Sequence, residues 1–256
     1  MLLRDQIRLL SIVVPVRNEA ENVRPLFAAL RDAVHVPCEL LLVYDAEDDP
    51  TIGAAREASA ALPFPLRLVR NDLGRGPANA LRAGFAAAHG DAVAVVMADL
   101  SDDVALIDRM VARLDAGDDV VCASRYAPGG QQIGGPRLKR TLSRLAGVSL
   151  HLAGLPAHDA TNSFRVYRTA LLRSITIESR EGFEITLEIT VKAWRGGWRV
   201  SEMPARWCDR VAGKSKFRLW RWLPRYLRWY LYALPGAWTR RRGSMAASGR
   251  GKKEPP

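Results

Sequence analysis

Short apolar runs rich in β-branched residues recur through the first 125 positions, at Leu10–Val16, Glu39–Tyr44, Leu66–Arg70, Ala92–Ala98 and Asp119–Ala123. Between them the apolar positions shift to a helical spacing, over Ala20–Ala33, Thr51–Ala61, Gly76–His89 and Asp103–Asp115. Strands alternating with helices of this length predict an α/β fold, a mainly parallel sheet with crossover helices on its faces. Ligands of such sheets bind at the carboxyl ends of the strands. That rule selects the loops Pro15–Glu19, Asp45–Pro50, Asn71–Gly76 and Met97–Asp103, three of them rich in Asp, Asn or Glu.

Downstream the pattern is less regular. Ala127–Pro136 holds four Gly and two Pro and reads as a mobile loop rather than a packed element. A basic helix over Arg137–Leu152, a strand over Ser163–Arg168, a helix over Phe183–Trp194 and a strand over Trp198–Cys208 follow. After Lys216, Arg218, Arg221, Arg225 and Arg228 fall on one helical stripe among Trp, Tyr and Leu, with Pro224 expected to interrupt any regular helix. Thr239–Pro256 is polar, basic and expected to be disordered.

Composition adds one thing to this picture. The 256-residue chain carries a net charge of +11, but residues 1–205 hold 24 basic and 25 acidic side chains, and residues 206–256 hold 14 and 2. The body is near neutral and the end is basic. All seven Trp lie from Trp194 onward, and arginines beside interfacial aromatics suit a membrane surface at least as well as a nucleic acid. Cys38, Cys122 and Cys208 are scattered, with neither metal spacing nor a disulfide framework, which points to a reducing cytosol. Arg4, Asp5 and Arg8 break up the first ten residues as a signal peptide. No uncharged apolar run reaches the roughly 18 residues of a membrane span.

Candidate chemistry gathers in the loops. Met97–Asp103 (MADLSDD) leaves an apolar strand with a carboxylate placed to hold a divalent cation on a diphosphate. Its competing reading is a helix start capped by Ser101 or Asp102. Asp48, Asp49 and Thr51 could cap the next helix, whereas Asp45 sits at a strand end and could accept from a nucleobase or ribose. Gly74–Asn79 (GRGPAN) lacks Walker spacing and reads as a helix-entry turn.

SIVVPVRNEAENV, LLVYDAEDDPT, GRGPANALRAGF, VVMADLSDD, ASRY, DATNSFRVYR and DRVAGKSKF occur in an order that resembles the family 2 glycosyltransferases of GT-A fold. The likeness is closest to the dolichol-phosphate mannose synthase group of polyprenyl-phosphate glycosyltransferases, and covers roughly Ile12–Phe217. It implies a catalytic domain over residues 1–216, a membrane-surface segment over 217–238 and the tail beyond.

By that resemblance Pro15, Arg17 and Glu19 match the first nucleotide-contact loop, and Val43 and Asp45 the positions beside the base. Met97, Ala98 and Asp99 match the Asp-X-Asp-type element, with Ser101 the next metal-side position. Arg125 matches a phosphate-contacting arginine; Arg210 and Lys216 match the basic pair near the transferred sugar and acceptor phosphate. The catalytic set is then Asp99, Arg125, Arg210 and Lys216, and Mg²⁺ or Mn²⁺ would be held by Asp99 and Ser101. Met97 departs from the pattern: it stands at the first Asp, and a thioether is a poor ligand for a hard cation.

The implied activity is inverting transfer of mannose or another hexose from a nucleotide-diphosphate sugar to a polyprenyl phosphate, by a peripheral enzyme on the cytoplasmic face of a membrane, with or without a membrane-protein partner. Two alternatives stay open: the same fold with a non-lipid acceptor, and a membrane-associated pseudoenzyme marked by Met97. A nucleic-acid partner is not expected, since no recognition motif accompanies the basic end.

Overall fold

The computed structural model describes residues 6–209 and 219–234. The strands are β1 Leu10–Val16, β2 Cys38–Tyr44, β3 Leu66–Arg70, β4 Ala92–Val95, β5 Val120–Ser124, β6 Gln131–Ile133, β7 Arg165–Arg168, β8 Val200–Pro204 and β9 Arg206–Cys208. The helices are α1 Ala20–Ala33, α2 Pro50–Ala58, α3 Pro77–Ala87, α4 Ile107–Asp115, α5 Arg137–Leu152, α6 Thr169–Ser174, α7 Glu184–Arg195 and α8 Leu219–Ala233. Seven strands form one sheet in the order β3-β2-β1-β4-β7-β5-β8, parallel except for β7, which runs antiparallel to both neighbours.

Both faces of this sheet are buried, which is why its central strands are continuously apolar. Period-two alternation divides each strand between two cores. Ile12, Val14, Leu40, Leu42, Ala92 and Ala94 pack under α1, α2 and α4. Val13, Leu41, Val43, Val93 and Val95 pack under α3, α6 and α7. Gly84 of α3 lies so close to β1 that an added Cβ would meet Val13 Cγ1 at 2.4 Å. A third cluster joins Leu150 and Leu155, at and just beyond the end of α5, to Leu187 and Val191 of α7 and to Trp229 and Ala233 of α8.

One buried polar knot closes the end of the sheet away from the strand C-termini. Ser11 Oγ donates to Glu39 (2.6 Å), which also accepts from Arg67 (2.9 Å) and from the His89 amide (2.8 Å). Burial opposes the Glu39 charge, but these donors outweigh it and hold the carboxyl below its usual pKa. Glu39→Ala is expected to lower stability by about 2 kcal/mol, because charge-assisted bonds are lost and buried donors are orphaned; urea titration at neutral pH reads it.

Three sequence expectations are corrected. Residues 127–136 are not a free loop, because β6 pairs in parallel with β9. Gly130 allows this: a Cβ there would lie 2.4 Å from the Ser124 carbonyl. The single strand expected over Trp198–Cys208 is two. At Ala205 the chain leaves the large sheet, its N–H still bound to Ser124 and its carbonyl already taken by the Gln131 amide. Pro224 does not interrupt α8. A proline inside a helix costs about 3 kcal/mol, and burial of Trp229 and Ala233 in the third core, with Trp229 Nε1 bonded to Ser179 Oγ (3.1 Å), opposes that cost. The strand expected over Ser163–Arg168 is β7, although its antiparallel direction was not foreseen, and the short α6 was not expected. The tail from Thr239 onward lies outside the described residues.

Candidate active site

The C-terminal ends of β1, β2, β3 and β4 bring the predicted loops together. Pro15 is buried in register with Val43. The chain then turns through Asn18 (φ 53°), whose N–H donates to Asp49 Oδ2 (2.9 Å), and the Glu19 amide donates to Thr51 Oγ1 (2.9 Å). Asp49 also caps α2 through the Thr51 amide (2.9 Å), the role expected for that cluster. Arg17 and Arg75 are exposed and share a depression of about 190 Å³ with Asp45 and Asp48. Asp45 ties the loops to one another: Oδ1 accepts from Asn71 Nδ2 (2.7 Å) and Oδ2 from the Gly76 amide (3.1 Å). Gly76 starts α3 at φ 125°, where a side chain would be strained, so GRGPAN is the helix-entry turn expected. Val43 is different. Its side chain is wholly buried in the second core, so only its backbone borders the loops.

In the acidic loop Ala98 is buried in the first core, while Met97 and Asp99 are partly exposed. Asp99 Oδ1 accepts from Ser101 Oγ (2.6 Å) and from the Ser101 amide (3.2 Å). Neither Ser101 nor Asp102 caps the 3₁₀ turn Val104–Leu106 that leads into α4; its N-cap position is Asp103, whose side chain makes no capping bond. Asp102 instead accepts from the Met97 amide (3.1 Å). Burial, and next the Asp99 charge, push the Asp102 carboxyl up to about 7. The loop is fastened to β9, since the Cys208 amide donates to the Ser101 carbonyl (3.1 Å) and Asp102 forms a bridge with Trp207. The chain therefore leaves β9 at Asp209 beside this loop. Arg210 and Lys216, which follow, lie outside the described residues.

Arg125 sits at the end of β5 in a dense polar cluster. Nε and Nη2 bind Asp159 at 2.7 and 2.9 Å, Nη2 reaches Thr161 Oγ1 (2.8 Å), and the Arg125 amide donates to Asp159 Oδ2 (3.1 Å). The guanidinium lies near the rings of Tyr126 and Trp207. Asp159 is fully buried; burial opposes its charge, but Arg125 overcomes this and holds its carboxyl below the usual range. The guanidinium that the sequence assigned to phosphate is thus largely engaged by protein, with Nη1 the nitrogen that bonds nothing among the described residues.

Two groups escaped the sequence reading of this cluster. Asp159 stood inside DATNSFRVYR without a role. Arg165, fully buried, reaches the Asp159 carbonyl (3.1 Å) and the Thr186 carbonyl (2.5 Å). An arginine in an apolar strand was the one available signal.

Residues 11–176 match the family described as glycosyl transferase family 2. The chain belongs to that family. It is 32% identical over 214 residues to the polyprenol monophosphomannose synthase of Mycolicibacterium smegmatis, covering 80% of this chain and 79% of that one. It is 27% identical over 230 residues to the dolichol-phosphate mannosyltransferase of Pyrococcus furiosus, covering 86% of this chain and 64% of the archaeal protein, so it spans under two-thirds of that relative. Among solved structures, glucosyl-3-phosphoglycerate synthase from Mycobacterium tuberculosis, in complex with Mn²⁺, UDP and glucosyl-3-phosphoglycerate, superposes with a TM-score of 0.67 at 16% identity. That likeness covers 88% of this chain and 80% of the synthase and shows a shared GT-A fold. The protein is a family 2 glycosyltransferase, and in open α/β sheets the strand-end loops are where ligands bind.

Proposed function

We propose that this glycosyltransferase moves a hexose, with mannose the first candidate, from a nucleotide-diphosphate sugar to a polyprenyl phosphate at a membrane surface. The observation that carries the acceptor is the pairing of lipid-phosphate relatives with an exposed leucine face. Nine large hydrophobic side chains are exposed among the described residues, and seven are leucines of α5 and α8. Leu138, Leu142 and Leu145 of α5 follow helical spacing, as do Leu223, Leu227 and Leu231 of α8. The two helices touch, with Tyr230 Oη on Ser149 Oγ at 2.9 Å. No helix among the described residues is long and apolar enough to cross a membrane, and a paired leucine face suits lying on one.

The leucines are thereby added to the side chains proposed to meet the bilayer. The arginine stripe was expected to face lipid headgroups, yet Arg225 pairs with Glu181 and Arg228 with Glu178, clipping α8 to the body. The leucines point outward, as does Arg228, whereas Arg225 is half-buried against the body. Leu145→Gln with Leu227→Gln is expected to weaken binding to anionic vesicles by about tenfold or more, since each leucine contributes about 1.5–3 kcal/mol on full burial. Vesicle flotation reads it, with transfer to a short water-soluble acceptor unchanged.

The proposed chemistry needs no strong base. A phosphate monoester has a second pKa of about 6, so the acceptor is anionic near neutrality. Its oxygen attacks the anomeric carbon opposite the diphosphate, and the new bond forms as the nucleoside diphosphate departs with the old bonding pair, inverting the centre. Arg125 Nη1, Arg210 and Lys216 are assigned to orienting the acceptor phosphate, and Arg17 and Asp45 border the donor site. Asp99 and Ser101 offer hard oxygens at the end of β4, a donor set that fits Mg²⁺ or Mn²⁺ completed by water and substrate phosphate. Such a cation supplies charge neutralisation to the leaving diphosphate.

The test is a transfer assay with polyprenyl phosphate in detergent, Mg²⁺ or Mn²⁺, and labelled GDP- and UDP-sugars. Label passing into an organic-soluble, mild-acid-labile product supports the reading. Transfer only to a water-soluble phosphate, the acceptor class of the mycobacterial synthase, would replace it.

A further inference from the structure

The turn that enters α3 rests on a segment about a hundred residues further along the chain. A Cβ added to Gly76 would lie 2.8 Å from the Glu181 carbonyl oxygen, so only a glycine admits the approach. The Gly76 amide in turn holds Asp45 Oδ2, and Asp45 and Arg75 border the same depression. What supports one wall of that depression is therefore residues 178–182, part of the link between α6 and α7. α7 anchors this stretch at both ends. The Glu178 and Ser179 amides donate to the Glu188 carboxylate (2.7 and 2.8 Å), and Lys192 Nζ binds Glu178 Oε1 (2.8 Å). The Gly182 amide donates to Glu184 Oε1 (3.1 Å). Glu181, between these anchors, is gripped from α8, where Arg225 pairs with its carboxylate. Arg228, three residues on, pairs instead with Glu178, which α7 already holds. The two clips thus differ: Arg225 holds the residue that touches Gly76, and Arg228 holds one fixed without it.

We propose that Arg225 is a positioning residue for the nucleotide-sugar donor, acting through Glu181 on the Gly76 turn and so on Asp45 and Arg75. This rests on the reading of the Arg17, Asp45 and Arg75 depression as the donor site. The ion pair is partly exposed, at 30% and 51% for the two side chains, so removing it alone has a modest effect. A carboxylate in place of Arg225 does more, because it faces Glu181 and stands near the buried Glu184. Burial pushes the Glu184 carboxyl up in pKa, and Arg225 is among the groups that oppose this. α8 then has two duties: its leucines point outward, while Arg225 steadies the wall of the donor site from the body side.

The experiment measures GDP and UDP binding to the full chain by isothermal titration calorimetry with Mg²⁺, beside circular-dichroism melts. Arg225→Glu is expected to weaken the tighter-binding nucleotide about tenfold in a protein that still melts as a folded one. Arg225→Gln removes the grip without repulsion; it is expected to weaken binding about threefold and serves where Arg225→Glu does not fold. Adding Glu181→Arg to Arg225→Glu is expected to bring affinity back to within about twofold of wild type, and Arg228→Glu to leave it within about twofold. In the transfer assay, donor KM should rise in step in Arg225→Glu while acceptor KM stays at its wild-type value. Equal weakening in Arg225→Glu and Arg228→Glu would mean that α8 loosens as a whole, and would overturn the proposal. Weakening that Glu181→Arg does not reverse would overturn it too, since Arg225 would then act by another route. Unchanged nucleotide affinity in Arg225→Glu would overturn it and leave the donor site standing. Wild type that binds neither nucleotide would overturn both.

Discussion

Asp99→Ala is expected to reduce kcat by about a hundredfold to a thousandfold, with the nucleotide sugar still bound and the fold intact. Asp99 stands at the carboxyl end of the β4 segment, with Oδ1 held by the Ser101 hydroxyl and amide. Its charge therefore has one orientation, set by the loop rather than chosen by solvent. Removing a preorganised electrostatic group costs about 10²–10³ in turnover where charge develops in the transition state. The leaving diphosphate is where it develops in the proposed reaction. Single-turnover transfer, with donor binding measured separately, checks the result. Activity equal to wild type would remove Asp99 from the mechanism.

Asp159→Asn should be the most damaging change to stability in the site, by about 3–5 kcal/mol, because it leaves Arg125 with a buried charge and no counter-ion. The side chains of Asp159 and Arg125 are 0% and 10% exposed, so solvent cannot make up the loss. Asp159 also holds the Thr161 and Asn162 amides at 3.2 and 3.1 Å, so the loop before β7 loses its anchor as well. The sign of the pH dependence follows from the depressed carboxyl pKa. Its contribution is present above the ordinary Asp value of about 4 and is lost as pH falls through the folded value. Wild type should therefore lose stability as pH falls below about 4, and the asparagine variant should lose less. Denaturant titrations at stepped pH test both statements. A variant as stable as wild type would mean that Arg125 finds another partner.

Much of the body was legible because its cores are two-sided. When both faces of a parallel sheet are buried, strands become unbroken apolar runs and crossover helices become amphipathic stripes. Leu10–Val16, Leu66–Arg70, Ala20–Ala33 and Arg137–Leu152 fall where the pattern predicts them. The strand-end rule then selects the loops around Arg17, Asp45 and Asp99 without any knowledge of the fold.

Where the reading failed, a distant partner had decided the conformation. Gln131–Ile133 is a strand because Arg206–Cys208 pairs with it from over seventy residues away. Pro224 stays helical because Trp229 is buried against α7 and its neighbours. Leucines and arginines alternate along α8, and local spacing could not say which row would meet Glu178 and Glu181. Val43 and Asp45 looked alike as site residues, but one pleat separates a core side chain from a loop clamp.

The sequence by itself determined the fold class, the glycosyltransferase family and the candidate loops at the strand ends, because those depend on periodicity and on motifs that lie within a few residues of each other. Only the tertiary structure decided that Arg125 is gripped by Asp159 and that Asp102 folds back onto Met97. It also decided that the leucines of α5 and α8 stay exposed on two helices that touch. Each of these joins groups through space, and their energies come from burial and charge pairing that no local pattern records.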